Sequence, residues 1–182
     1  DQPEAETPTP PAAPEFWTDA DVADSASTAI TGSSADSFVG YTAASTAAAT
    51  SALTNVGRGS GNVATFDMSA GGDNFFVARD DAALAGSLFY TGGSGDDSLT
   101  FDDYLAYDGT ATFDMSLGGN NTFVAGSSAA SAGGSLSYTG GSGDDSLTFD
   151  EYLASDGGTA TFDMSLGGNN TCLLYTSPSP RD

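Results

Sequence analysis

Two identical nine-residue segments carry the residue types best suited to metal chemistry. Gly92–Thr100 and Gly140–Thr148 both read GGSGDDSLT, with Asp97 and Asp145 at the sixth position. Glycine adopts left-handed backbone in tight turns, which lets carbonyl oxygens converge on one point. A carboxylate adds a hard, charged oxygen, and Ca²⁺ takes roughly six to eight oxygen ligands. The spacing therefore predicts turns that can present oxygen atoms to a hard cation.

The turns that alternate with these segments differ at the same position. They keep a glycine and a following apolar residue but carry asparagine in place of the acid, at Asn74, Asn121 and Asn170. An amide is a weaker ligand for Ca²⁺ than a carboxylate, but it can stack into a hydrogen-bonded ladder. Two interpretations stay open at this point. Calcium ions sit between an Asp turn and an Asn turn, or the edge is an ion-free ladder of Asp and Asn (Asx) side chains.

The nonapeptides fit the pattern GGxGxDxUx, in which U is a large apolar residue, here Leu99 and Leu147. In these residues the chain resembles the calcium-binding RTX (hemolysin-type) repeats of secreted bacterial proteins. The resemblance implies a β-roll-like solenoid with Ca²⁺ as its cofactor. The ligands it implies are carboxylates and carbonyl oxygens from Asp97, Asp145, Asp96, Asp144, Gly92, Gly95, Gly140 and Gly143, with Asn121 from the intervening turn. The chain departs from the family because the full motif recurs only in every second repeat unit.

The motifs belong to a longer repeat. ATFDMS recurs at residues 64, 111 and 160, and TGGSGDDSLTFD recurs at residues 91 and 139. Asp97, Asn121, Asp145 and Asn170 follow one another at intervals of 24, 24 and 25 residues, and a looser early unit places Asp36 in the same series. A fixed period of this size is typical of solenoids. We therefore predict an all-β fold, a parallel β-solenoid over residues 26–171 with coils of about 24 residues and two strands per coil.

Alternating residues supply the predicted strands. Ala111, Phe113 and Met115 alternate with Thr112 and Asp114, which is the period of two expected for a strand with one buried face. The corresponding segments of the other units repeat this alternation. The remaining loops vary in sequence and length, so we expect them to be insertions on one edge.

The two ends have a different character. Residues 1–25 begin with an acidic, proline-rich stretch and are predicted to be a linker. Residues Cys172–Asp182 (CLLYTSPSPRD) hold the only cysteine and resemble a translated sequencing adapter, so we expect a non-native tail on a fragment cut within a repeat.

Composition and charge exclude several classes of function. The chain has 25 acidic residues, 3 basic residues and no histidine, for a net charge of −22. Nucleic acids and anionic membrane surfaces require a basic face. No apolar run reaches the ~20 residues of a membrane span, so membrane insertion is not expected. Without histidine the usual general base is missing, and we expect no enzyme.

The combined expectation is a calcium-binding structural module, a stalk or adhesin-type segment of a larger secreted or surface-attached bacterial protein. Extracellular location would supply the Ca²⁺, and repulsion among the acidic groups would keep the chain open until cations bind. One alternative is a module that binds ice or glycans through the threonine rows that include Thr65, Thr112 and Thr161. Extracellular or cell-surface polymers would then be its partners. Another is a non-catalytic repeat region attached to a secreted enzyme. The oligomeric state is not specified by the sequence.

Overall fold

Short β-strands make up nearly all of the regular structure in the part of the chain that the structure describes. The computed structural model describes residues 13–22, 27–40 and 52–175. Within these ranges a single 3₁₀ turn (Asp19–Asp21) accompanies the strands. The strands are β1 (Glu15–Trp17), β2 (Thr28–Thr31), β3 (Ser37–Val39), β4 (Val63–Asp67), β5 (Asn74–Ala78), β6 (Ser87–Thr91), β7 (Ser98–Phe101), β8 (Thr110–Asp114), β9 (Thr122–Ala125), β10 (Ser135–Thr139), β11 (Ser146–Phe149), β12 (Thr159–Asp163) and β13 (Thr171–Leu174).

The strands form two parallel sheets. Odd-numbered strands make a seven-stranded sheet in the order β1-β3-β5-β7-β9-β11-β13, and even-numbered strands make a six-stranded sheet in the order β2-β4-β6-β8-β10-β12. Each coil contributes one strand to each sheet, and corresponding strands in the regular part are about 24 residues apart, as in the pairing of Ser135 with Thr159. The predicted parallel β-solenoid is confirmed, with about six coils.

The core lies between the two sheets and includes columns in which large and small side chains alternate. In the six-stranded sheet the small Ala111 lies in register between Leu88 and Leu136. In the facing sheet Ala125 lies between Phe101 and Phe149. Since every coil stacks directly on the next, this alternation lets bulky residues in one coil extend over the small residues of its neighbours.

Aromatic rings connect the sheets across the core. Phe113 meets Phe101 edge to face with ring centroids 5.4 Å apart, and it meets Phe123 at 4.9 Å. All three side chains are buried. Perpendicular ring pairs gain electrostatic stabilisation in addition to their burial, so this stack is a main contributor to the stability of the central coils.

The loops on one edge are more regular than the sequence predicted. Isolated parallel bridges join Val56, Ala82, Leu105, Ala129 and Leu153 from coil to coil. The first four of these side chains are fully buried. Leucine again alternates with alanine along this column, and alanine gives little periodic signal in a sequence, which is why the expectation of variable insertions missed it.

The solenoid extends beyond both predicted boundaries. Strand β1 lies within the segment 1–25 that was expected to be a linker, yet it pairs with β3, and Phe16 stacks on Phe38 at 5.4 Å. At the other end Cys172 and the next two residues continue β13 in register with β11. Strand pairing uses backbone groups, so an apolar segment can join a sheet edge whatever its origin. Residues 1–12 and 176–182 lie outside the described ranges.

No helix among the described residues has both the length and the apolar character needed to span a membrane.

The core packing yields a prediction for two phenylalanines on adjacent strands. Phe113 is fully buried, whereas Phe89 points outward and is 40% exposed. We expect Phe113→Ala to lower the free energy of unfolding by about 3–5 kcal/mol, since it leaves a cavity between the sheets. The matched variant Phe89→Ala should change it by less than about 1 kcal/mol. Urea denaturation followed by circular dichroism measures both, and equal losses would contradict this assignment of faces.

Candidate functional site

The nonapeptide acids and their asparagine counterparts form a buried row along one edge of the solenoid. We call this the inner Asx row: Asn74, Asp97, Asn121, Asp145 and Asn170. Each member lies at or just before the start of a strand of the seven-stranded sheet, in the turn that leads from the other sheet. The first four residues are only 1% exposed. The edge therefore buries two acids and two amides next to the apolar core.

Hydrogen bonds link the inner Asx row from coil to coil. The Asn74 backbone N–H and side-chain Nδ2 both donate to Asp97 Oδ1, at 3.0 and 2.6 Å. The Asp97 N–H donates to Asn121 Oδ1 at 3.1 Å, and the Asn121 N–H donates to Asp145 Oδ1 at 3.1 Å. The Asp145 N–H completes the series by donating to Asn170 Oδ1 at 2.9 Å. The side chains of Asp97, Asn121, Asp145 and Asn170 thus each satisfy a backbone donor of the preceding coil.

The alternation of acid and amide has a direct chemical reason. An ionised carboxylate only accepts hydrogen bonds, whereas an amide both donates and accepts. Asn121 Nδ2 accordingly donates to Asp145 Oδ1 at 2.9 Å, in addition to the backbone bond. Two acids in adjacent coils would lie about 4.8 Å apart and repel by roughly 3 kcal/mol at an effective dielectric constant of about 20. Placing an amide between Asp97 and Asp145 avoids that repulsion.

A second row runs beside the first on the solvent side. We call it the outer Asx row: Asp36, Asp73, Asp96, Asn120, Asp144 and Asn169, all of them exposed. Its bonds run in the opposite direction along the solenoid axis. The Asp96 N–H donates to Asp73 Oδ1 at 2.9 Å, and the Asn120 N–H donates to Asp96 Oδ1 at 2.7 Å. In each turn, the backbone N–H of the inner-row residue therefore bonds to the following coil, and the backbone N–H of the outer-row residue bonds to the preceding coil.

Asp36 belongs to the outer row, which corrects the sequence expectation. Ser37, not Asp36, lies in register with Asn74. Asp36 instead accepts a hydrogen bond from the Asp73 N–H at 3.1 Å. The early unit lacks the regular spacing of the later ones, and its single acid was assigned to the wrong row for that reason.

Burial dominates the electrostatics of the inner Asx row. Desolvation raises the pKa of Asp97 to about 6, against the opposing effect of the hydrogen bonds from Asn74 and Gly93. Burial also raises the pKa of the Tyr90 and Tyr138 hydroxyls, with the negative charge of Asp97 or Asp145 adding to the effect. In the exposed outer row the hydrogen bonds from Asn169 lower the pKa of Asp144. Burial thus makes Asp97 easier to protonate than an ordinary aspartate, whereas its hydrogen bonds make Asp144 harder to protonate.

One oxygen of Asp145 has no hydrogen-bond partner within the described part of the chain. Among the described residues, no hydrogen bond reaches Asp145 Oδ2 or the buried hydroxyl of Tyr138. A Cβ added at Gly140 would lie 2.4 Å from Asp145 Oδ2 and 2.6 Å from Met164 Sδ. This oxygen therefore points toward a glycine and a thioether sulfur, which is an apolar setting for a carboxylate.

The predicted calcium ligands are brought to one edge but not into one shell. Asp97 and Asp145 lie in the buried inner row, whereas Asp96 and Asp144 lie in the exposed outer row. Both oxygens of Asp97 already accept N–H bonds, Oδ2 from Gly93 at 3.2 Å. Within the described ranges there is no group of three or more acids, cysteines or histidines that could hold a metal ion. As arranged, the inner-row side chains form a hydrogen-bonded ladder from coil to coil.

The glycines of the nonapeptides have a steric role in this structure. A Cβ on Gly95 would lie 2.3 Å from the Gly72 carbonyl oxygen, and a Cβ on Gly143 would lie 1.9 Å from that of Gly119. Likewise, a Cβ on Gly92 would lie 2.1 Å from Asp97 Oδ2. The fourth-position glycines let each turn rest directly on the one before it, and Gly92 leaves room for the buried acid.

Sequence reasoning missed the outer Asx row and the buried tyrosine hydroxyls. The doublets DN, DD and NN that precede each strand were a usable signal, since adjacent Asx residues in an extended turn place their side chains on different sides. Tyr90 and Tyr138 gave no such signal, because tyrosine alternating with leucine indicates only a core position.

Comparisons with known proteins add no further assignment, because no protein-family model, curated protein or solved structure matched this chain.

The raised pKa of Asp97 predicts a specific pH dependence of stability. An unfolded aspartate loses its proton near 3.8, whereas folded Asp97 retains it up to about 6. The stabilising contribution of its proton is complete below the unfolded pKa and is lost as the pH rises through the folded one. We expect the unfolding free energy of the wild type, measured relative to Asp97→Asn, to fall by up to about 3 kcal/mol across this window.

The control for this experiment is Asp96→Asn, which removes one negative charge from the same turn at an exposed position. Urea titrations at a series of pH values would measure all three chains. A wild-type curve that stays parallel to that of Asp97→Asn would contradict the assignment, as would an equal fall when the wild type is measured relative to Asp96→Asn.

The close contact at Gly143 predicts that even a methyl group will not be tolerated there. We expect Gly143→Ala to lower the free energy of unfolding by about 1–3 kcal/mol, since the Cβ would overlap the Gly119 carbonyl and force adjacent turns apart. Ser142→Ala changes an exposed residue of the same turn and should have little effect. Thermal melts of the two variants compare them directly, and equal melting temperatures would argue against steric stacking.

Proposed function

We propose that this chain is a structural repeat module, a stiff segment of a larger secreted or surface-attached bacterial protein, without catalysis of its own. The observation that carries the proposal is the pair of Asx rows with opposite bond directions. Backbone N–H groups of successive turns are tied to the coil before by one row and to the coil after by the other. Two rows of hydrogen bonds across each coil boundary oppose the separation and sliding of adjacent coils.

The hydrogen bonds of the inner and outer rows also support a non-catalytic role. The side-chain oxygens that a reaction would need accept bonds from the protein itself, as Asp97 does from Asn74 and Gly93. The chain contains no histidine to act as a general base near neutral pH. The outward threonines of the six-stranded sheet lie in register with Phe89 and Ser137, so the threonine row is interrupted. The surface-binding alternative through that row stays a prediction.

An extracellular location suits the charge and composition of the chain. With 25 acidic residues against 3 basic ones, the module carries a dense negative surface and no lysine. A strong net charge keeps repeat arrays soluble and separate. Millimolar divalent cations outside cells would screen the exposed acids of the outer Asx row, which the hydrogen bonds alone do not neutralise.

Calcium binding at the Asp turns, which the RTX resemblance implies, remains part of the proposal to be tested. The observation in its favour is Asp145 Oδ2, a buried carboxylate oxygen without a partner among the described residues. A Ca²⁺ ion there would require carbonyl oxygens of the glycine turns to move toward this atom. The hydrogen-bonded rows need no ion, so we expect the solenoid itself to form without one.

A calcium titration separates the structural role from the calcium role. We expect a full β-sheet signal by circular dichroism in the presence of a chelator, because the rows and the core are complete without metal. If Ca²⁺ binds the Asp turns, the melting temperature rises with Ca²⁺ more than with Mg²⁺, by a stabilisation of about 3 kcal/mol at a hundredfold excess over Kd. This rise should vanish in Asp145→Asn and persist in Asp80→Asn, an exposed acid on a different edge.

Each outcome has a distinct meaning. A chain that is unfolded with and without Ca²⁺ would contradict the structural proposal. A chain that is folded in chelator, with identical melting in Ca²⁺ and Mg²⁺, would contradict calcium binding and leave the structural role supported. Folding only with Ca²⁺ would show that the hydrogen-bonded rows are insufficient against the repulsion of the acids.

A further inference from the structure

A cleft lies on the edge that carries the third column of bridges. It has a volume of about 290 Å³, and its lining includes Tyr104, Tyr107, Tyr152, Ser128, Ser131 and Asp156. We call it the tyrosine cleft. Its volume is near the lower end of the range for small-molecule sites, about 300–1,000 Å³. Neither the core nor the Asx rows explain why three tyrosines are placed there.

The cleft arises because small residues stand between large ones in a stacked column. Tyr104, Ser128 and Tyr152 each precede a bridge residue, and the bridges join Leu105, Ala129 and Leu153 in register. The Leu105 N–H donates to the Ser128 carbonyl, and the Ala129 N–H donates to the Tyr152 carbonyl. The two tyrosines are thus two coils apart, about 10 Å, with a serine at the floor between them. This separation leaves room for a ring-sized ligand.

The tyrosine rings are presented to solvent rather than packed into the core. Tyr104 and Tyr107 are 38% and 40% exposed, and Tyr152 is 55% exposed. Tyr104 and Tyr107 also support each other, edge to face, with centroids 5.4 Å apart. Exposed aromatic rings that are held in place offer apolar faces with polar hydroxyl tips, and such groups bind ligands at low conformational cost.

Ser131 provides the second, independent observation. This residue is 3% exposed and lines the cleft, yet its hydroxyl has no hydrogen-bond partner among the described residues. A buried hydroxyl without a partner is costly, and native proteins rarely retain one without a ligand or water to satisfy it. A ligand that carries its own hydroxyl groups would satisfy Ser131.

We propose that the tyrosine cleft binds a neutral pyranose sugar. The C–H groups on the face of a pyranose carry partial positive charge and pack against the negative face of an aromatic ring. Its hydroxyl groups can bond to Ser128, Ser131 and the Asp156 carboxylate. An anionic ligand is disfavoured by the net charge of −22. A quaternary ammonium would use the rings but would leave the Ser131 hydroxyl unpaired.

The binding test uses the full chain and defined sugars. Saturation-transfer NMR with the methyl glycosides of glucose, galactose and mannose at millimolar concentration would detect weak binding, with glucuronate and choline as charged comparisons. We expect at least one neutral glycoside to bind and neither charged compound to do so. No binding by any neutral glycoside, or binding of choline alone, would overturn the proposal.

Variants locate the binding on the tyrosine cleft. We expect Tyr152→Ala to raise the dissociation constant about three- to tenfold, and Ser128→Tyr to abolish binding because it fills the gap with the residue that both neighbouring coils carry. Ser131→Ala should weaken binding without lowering the melting temperature, since it removes a hydroxyl that the folded protein leaves unpaired. Phe89→Ala, at an exposed aromatic on the outer face of the six-stranded sheet, is the matched control.

Melting curves by circular dichroism establish that each variant is folded, and Ser128→Tyr remains informative if Tyr152→Ala does not fold. Equal losses in Phe89→Ala and Tyr152→Ala would place any binding outside the cleft. Unchanged binding in Ser128→Tyr would overturn the assignment of the site.

Discussion

Stacking of equivalent residues about 4.8 Å apart is the constraint on which the rest of this structure depends. In a parallel solenoid every side chain meets the residue at the same position of the next coil, so each column must be compatible with itself. A buried column of acids would repel, whereas aromatic residues can stack, as Phe66, Tyr90, Phe113 and Tyr138 do. The inner Asx row meets this constraint by alternating carboxylate with amide, and two core columns meet it by alternating alanine with leucine or phenylalanine.

The same constraint accounts for the doubling of the repeat from 24 to about 48 residues. A single unit repeated without change would place Asp97 against another acid and Phe101 against another phenylalanine. Two alternating units avoid both contacts. The unit that carries Asp97 also carries Phe101, and the next unit places Asn121 and Ala125 at the matching positions. In the inner Asx row and the alanine-containing core columns, charge and volume are thus balanced over a pair of coils.

The sequence was sufficient to predict the period, the two sheets and the inward residues, because these depend on spacing and alternation alone. It was not sufficient to predict the hydrogen-bond partners of Asp97 and Asp145, since these depend on where the turns place the side chains. Asp36 was assigned to the wrong row because its unit lacks the doublet that marks the others. The column of Val56, Ala82 and Leu105 was missed because alanine carries little periodic signal.

The stacking of equivalent residues also determines where a cleft can form on the surface of a solenoid. If the same large residue occupied a position in every coil, adjacent copies would pack against one another and leave a flat ridge. A recess opens only where a column changes from large to small and back again, as it does from Tyr104 to Ser128 to Tyr152. The alternation that keeps charges apart on the Asx edge thus creates space on the opposite column of loops. One repeat can therefore provide stiffness on one edge and a concave surface on another, without any insertion in the chain.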